Sequence, residues 1–207
     1  MPLGQHAGCY IARMAADETS EPRSLERVCL VSLIAFLLVA LWLVEWLLGR
    51  ELLSDSGFGV WTGAWTHQTS QWLMDPYTFS HVLHGFLLYY LLQPTRRLLS
   101  VKSRFLVASL IEASWEILEN TPFVIDRYRD ATAAIDYYGD SILNSMFDLI
   151  AAMAGFWAAS KYHWKCILTL AVMIELLCLF FVRDNLTLNV LMLLNPSEAI
   201  KQWQLGH

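Results

Sequence analysis

Glu112-Ala-Ser-Trp-Glu116-Ile-Leu-Glu119-Asn-Thr-Pro122, a charged connector, and Gly139-Asp140-Ser-Ile-Leu-Asn144-Ser-Met-Phe-Asp148 form the stretch whose reading decides the fold. Glu112, Glu116 and Glu119 recur at i, i+4 and i+7, and Asp140, Asn144 and Asp148 at i, i+4 and i+8, so each set lies on one helical face. The remaining positions of both segments are largely apolar. Carboxylates on apolar helices are expensive to bury and persist where a partner or ligand compensates them.

The rest of the chain gives these helices a membrane setting. Hydrophobic residues make up 56% of the 207 residues and charged residues only 16%, with a mean hydropathy of +0.42. This balance exceeds the apolar share of an ordinary soluble domain. The net charge of -5 carries no basic patch, which argues against nucleic acid as a partner. Four cysteines without CxxC spacing suggest neither a zinc knuckle nor a disulfide framework.

Residues 1–28 are polar, mixed in charge and aperiodic, and read as a disordered cytoplasmic tail, with Met14 as an alternative start. Residues 29–207 read as one integral membrane domain. Five apolar spans are expected, over Cys29–Leu48, Pro76–Leu92, Phe105–Asn120, Asp140–Ala159 and Trp164–Val182, the second and third short for a full crossing. Between the first two, Trp61, Trp65 and Trp72 fall near one helical face and suggest an interfacial helix. The short run Leu186–Leu194 reads as re-entrant or interfacial, and no internal repeat is visible. The expected class is therefore an all-α polytopic bundle.

Of the 14 lysines and arginines, nine fall on the segments that share a side with the amino terminus. That bias puts the amino terminus in the cytoplasm and the carboxy terminus in the periplasm. With antiparallel connectivity, polar residues from four spans reach one side: Tyr77, Ser80, His81 and His84; the glutamate stripe; Asp140 and Asn144; and Arg183 to Asn185. Glu112 and Asp148 lie deeper and read as structural partners.

Several chemistries suit this set. His81, His84 and Glu116 have the donor types of a divalent-metal site, although HExxH and paired Glu-x-x-His motifs are absent. Alternatively His81 or His84, oriented by Glu116 or Glu119, is a general base in a hydrolase or transferase acting on a lipid or cell-wall precursor head group. In a third reading Tyr77, Ser80, Asp140, Asn144, Arg183 and Asn185 line a binding pocket without catalysis. A purely structural reading pairs the glutamates with Arg127, Arg129 or Arg183.

Asp75-Pro-Tyr-Thr-Phe-Ser-His81-Val-Leu-His84, Trp115-Glu116-Ile-Leu-Glu119-Asn-Thr-Pro122, Asp136-Tyr-Tyr-Gly-Asp140-Ser-Ile-Leu-Asn144 and Arg183-Asp-Asn-Leu-Thr together resemble an uncharacterised family of bacterial multi-pass inner-membrane proteins. The resemblance covers roughly residues 61–204. It implies an inner-membrane location and topology and brings no activity. A more distant similarity to the VanZ-like membrane proteins rests on a His, a Glu, and Asp148 followed by Gly155; it implies an envelope-facing theme of lipid or cell-wall ligands.

Overall fold

The computed structural model describes residues 28–55 and 57–206; the expected cytoplasmic tail lies almost wholly outside them. The chain divides into two compact units, Met1–Phe36 and Leu37–His207. Of the first, residues 28–36 are described and form the opening turns of a helix. The second holds α2 to α8 and the residues of the site.

Among the described residues the regular structure is helical: α1 (Val28–Leu47), α2 (Thr78–Leu91), α3 (Val101–Glu119), α4 (Pro122–Ala131), α5 (Ile142–Lys161), α6 (Trp164–Val182), α7 (Leu186–Leu194) and α8 (Glu198–Leu205), with a 3₁₀ turn at Gln93–Arg97. Three of them, α1, α5 and α6, are long and apolar enough to cross a membrane. The all-helical expectation is met, and the edges of α2, α3, α5 and α6 fall within a few residues of those read from the sequence.

Local chemistry sets many of these edges. Ser100, Ser141 and Asn185 are N-caps whose side chains accept from Ser103, Asn144 and Leu188 backbone N–H groups. Pro122 occupies the first turn of α4, where its missing N–H costs nothing. Glu175 of α6 accepts from the Leu186 and Thr187 backbone N–H groups, placing an anion on the N-terminus of α7.

α5 is the central element. About 61% of its apolar window is buried, against 11% for α6, and it packs most extensively along α2 and then α3. Two glycines make the α2–α5 crossing possible. A Cβ on Gly85 would lie 2.1 Å from the Ala152 carbonyl oxygen, and one on Gly155 would lie 2.2 Å from that of Val82. Small residues allow this close backbone approach, which fixes the spacing between groups on the two helices. Leu83, Phe86, Ala159 and Ile167 pack beside the crossing as a core cluster.

Two expectations are corrected here. The described residues of 49–76 form no interfacial helix; they fold as turns, with an isolated bridge between Trp61 and Met74. Gly57, Gly59 and Gly63 weaken helix formation, and Trp65 and Ser70 adopt left-handed backbone (φ 60° and 63°). The Trp72 ring sits where a Cβ on Gly59 would be, 2.2 Å from its atoms. Trp65 donates from Nε1 to the Val182 carbonyl (2.8 Å), filling an orphan acceptor at the end of α6. Secondly, the charged connector between the carboxylate helices is itself helical over α4, opened by Pro122. The run Leu186–Leu194 is a short helix, followed by a further helix, α8.

Candidate functional site

α2 runs away from the polar side while α3 runs toward it, so their polar groups meet at matching depths. His81 and His84, one turn apart on α2, both approach Glu112 Oε1 through Nδ1, at 2.9 and 2.8 Å. The two rings meet edge to face at 5.1 Å, and Trp115 stands edge-on to His84 at 6.2 Å. His81 Nδ1 also lies 3.0 Å from Glu116 Oε1, and its Nε2 lies 3.9 Å from Asp148 Oδ2 on α5. The Glu116 contact is close but lacks hydrogen-bond geometry, and Glu116 Oε1 is a buried atom without a partner.

A second group lies one turn further along α3. One carboxylate oxygen each from Glu116, Glu119 and Asp140 falls within 4.8 Å of the others, and the same holds for the donor atoms of His81, His84 and Glu112. Tyr137 donates its hydroxyl to Asp140 (3.2 Å), and Tyr128 lines the cavity with Glu119. Asn120, buried at the end of α3, joins the group to its surroundings. Its Nδ2 lies 3.1 Å from Asp140 Oδ2 and 3.3 Å from Glu45 Oε1, and its Oδ1 accepts from the Asp140 N–H (2.7 Å). Burial holds the Asp140 carboxyl above its ordinary range, and the Asp75 charge pushes it further the same way.

The nearby cations are engaged elsewhere. Arg127 donates to the Leu193 carbonyl (2.7 Å) at the end of α7, and Lys201 to that of Asp130 (2.7 Å) at the end of α4. Arg183 donates to the Trp203 carbonyl (3.2 Å) near the end of α8 and lies over the Trp203 ring. Arg129 donates to the Tyr137 carbonyl (2.6 Å) and pairs with exposed Asp126; Arg50 donates to the Tyr138 carbonyl. Basic side chains suit helix C-termini, where unpaired carbonyls gather. Among the described residues no lysine or arginine forms an ion pair with the glutamate stripe. The pairing with Arg127, Arg129 or Arg183 is therefore not what holds it.

The residues expected at the site separate into two groups. Tyr77, Ser80, His81, His84, Glu119 and Asp140 line a single cavity of about 980 Å³, with Glu116 immediately behind His81. Asn144 is instead an anchor: its Nδ2 donates to the Trp72 carbonyl (2.8 Å) and fastens the loop to α5. Asn185 caps α7, and Arg183 serves α8. Asp184, between them, is the group that faces the cavity. It accepts from the Tyr77 hydroxyl (3.2 Å), and burial pushes its carboxyl up to about 7.

Glu112 and Asp148, read as deeper structural partners, belong to the cluster, as both line the cavity. The expected metal trio regroups accordingly, with Glu112 beside the two histidines and Glu116 beside Glu119 and Asp140. Arithmetic on antiparallel helices anticipates this. His84 lies six residues past the start of α2 and Glu112 seven before the end of α3, about 9 and 10 Å at 1.5 Å per residue.

Comparison with known proteins places the chain. The family model described as "Protein of unknown function (DUF2585)" matches residues 45–206. A UPF0314 protein of Brucella anthropi is 43% identical over 192 residues, covering 91% of this chain and 97% of that protein. One of Rhizobium etli (strain CIAT 652) is 47% identical, covering 82% and 88%. Another, of Sphingopyxis alaskensis, is 43% identical, covering 86% and 92%. No solved structure matches the chain. The match from Glu45 to the end of α8, together with these relatives along almost their whole length, shows that the chain belongs to the DUF2585 family.

Proposed function

We propose that the protein is a multi-pass inner-membrane protein whose cavity opens at the periplasmic leaflet and holds the head group of an envelope lipid or lipid-linked cell-wall precursor. The observation that carries this reading is the mixed lining of the cavity. It holds His81, His84, Glu112, Glu119, Asp140 and Asp148, and further along α2, on α3 and on α7 it holds Leu87, Leu88, Leu91, Ile111, Val190 and Leu193. Leu87, Leu91 and Ile111 are 53%, 70% and 44% exposed, so the apolar lining continues onto the outer surface of α2 and α3. A polar recess continuous with an apolar surface suits an amphiphile, with its head among the acids and its chain along the leucines.

Five spans, α1, α2, α3, α5 and α6, complete this reading. α3 is about 28 Å long and α2 about 21 Å at 1.5 Å per residue, and a short α2 is consistent with a thinned, water-accessible leaflet over the cavity. The distribution of lysine and arginine favours the periplasmic side for that leaflet.

The test is to extract the protein in mild detergent, exchange it extensively, and identify the retained lipid by mass spectrometry. One lipid class should be retained well above its share of the membrane, and Leu88→Trp, which adds bulk to the apolar lining, should reduce it. Incubating the loaded protein and re-examining the lipid reads any hydrolysis or transfer in the same sample. Retention that mirrors bulk membrane composition, unchanged by Leu88→Trp, contradicts the proposal and leaves the polar residues as helix-packing groups.

A further inference from the structure

At the cavity wall and just behind it, no lysine or arginine among the described residues pairs with the glutamate stripe. Glu116 and Glu119, i and i+3 on α3, and Asp140, just before α5, bring three carboxylates together. Glu116 is 1% exposed; its Oε1 makes no hydrogen bond and lies 3.0 Å from His81 Nδ1, which is hydrogen-bonded to Glu112. Asp148, 4% exposed, leaves its Oδ1 equally unpartnered. A buried polar atom without a partner carries its full desolvation cost, and three close carboxylates repel one another.

The other oxygens look prepared for a ligand. Asp140 is steadied by the Tyr137 hydroxyl and Asn120. Such outer hydrogen bonds fix carboxylates that bind metals while leaving lone pairs free. An all-oxygen donor set of three carboxylates selects a hard divalent cation, of the magnesium, calcium or manganese kind, over softer metals. The histidines hold Glu112 through Nδ1, and their donor atoms group with Glu112 rather than with this trio.

We propose that Glu116, Glu119 and Asp140 bind one divalent, oxygen-preferring cation. The site goes beyond the head-group reading and does not depend on it. It also supplies the positive charge that a phosphate-bearing head group would meet in an otherwise acidic cavity.

Mn²⁺ is the probe, titrated into full-length, lipid-exchanged, chelator-stripped protein, with free Mn²⁺ followed by electron paramagnetic resonance. One Mn²⁺ per chain is expected, and Glu116→Gln and Glu119→Gln should each weaken it by at least ~10-fold. Asp126→Asn, an exposed carboxylate on α4, should not change it. Pulsed measurements on the wild type should show no directly bound nitrogen, which separates this site from His81 and His84 even if the Gln variants fail to fold. Absence of stoichiometric binding, nitrogen in the first shell, or unchanged binding in both folded Gln variants overturns the proposal. Because no lipid is present, its failure is distinct from that of the head-group reading.

Discussion

Glu112 and Glu116 stand one turn apart on α3, both buried, both within 3.0 Å of His81, and their situations are opposite. Glu112 has two imidazoles on one oxygen, a closed arrangement that accounts for its own charge. Glu116 faces the same imidazole without a hydrogen bond and has two more carboxylates beside it. One helix face thus carries a self-sufficient group and an incomplete one. The incomplete one is where a ligand has something to contribute, and burial alone would not have told the two apart.

The largest effect that could break this contrast is on stability without metal. Glu112→Ala leaves His81 and His84 without their common acceptor and should cost roughly 3–5 kcal/mol, read by chemical denaturation in detergent. Glu116→Gln under the same chelated conditions should change stability by no more than about 1 kcal/mol, because Oε1 makes no hydrogen bond to lose and two carboxylates beside it repel its charge.

Asp184 gives a pH-dependent version of the same comparison, across the cavity. Its carboxyl is raised to about 7 by burial, against hydrogen bonds from Asn185, Tyr77 and Asn189. The folded state then holds its proton more tightly than the unfolded state, whose carboxyl titrates near 4. Between about pH 4 and 7 the stability contributed by this group should fall as pH rises, by up to about 4 kcal/mol, and level off above 7. Asp184→Asn should flatten that slope in melting curves taken across the window.

Gly155→Ala tests whether the helix crossing sets the cluster. Its Cβ would meet the Val82 carbonyl at 2.2 Å, so α2 and α5 must part, costing about 1–3 kcal/mol and drawing His81 away from Asp148. Smallest is Trp65→Phe, which removes a hydrogen bond from the end of α6. About 1 kcal/mol is expected, with the cluster untouched.

Much of the fold was legible because apolar runs and caps are local. Trp164–Val182 was read as a span and is α6, and Ser141 and Pro122 mark helix starts by their own chemistry. The loop over residues 49–76 was not legible. Three tryptophans at helical spacing look amphipathic, but their partners are distant: Trp65 reaches Val182, and Asn144 holds the Trp72 carbonyl. The Arg183 contact was not legible for the same reason, since its carbonyl acceptor and the ring beneath it belong to Trp203 on α8, twenty residues on. Within the cluster, the residue types and the helix faces were readable, and the depth of Glu112 was available from antiparallel spacing. Which carboxylate is satisfied and which is not depends on Å-scale contacts among four segments, and no sequence period encodes that.

The most direct test of the contrast is to unfold Glu112→Gln, Glu116→Gln and the wild type side by side, in chelator and in Mn²⁺. The account predicts that Mn²⁺ stabilises the wild type and Glu112→Gln alike and leaves Glu116→Gln where chelator left it. Equal Mn²⁺ stabilisation of all three, or of none, would contradict it.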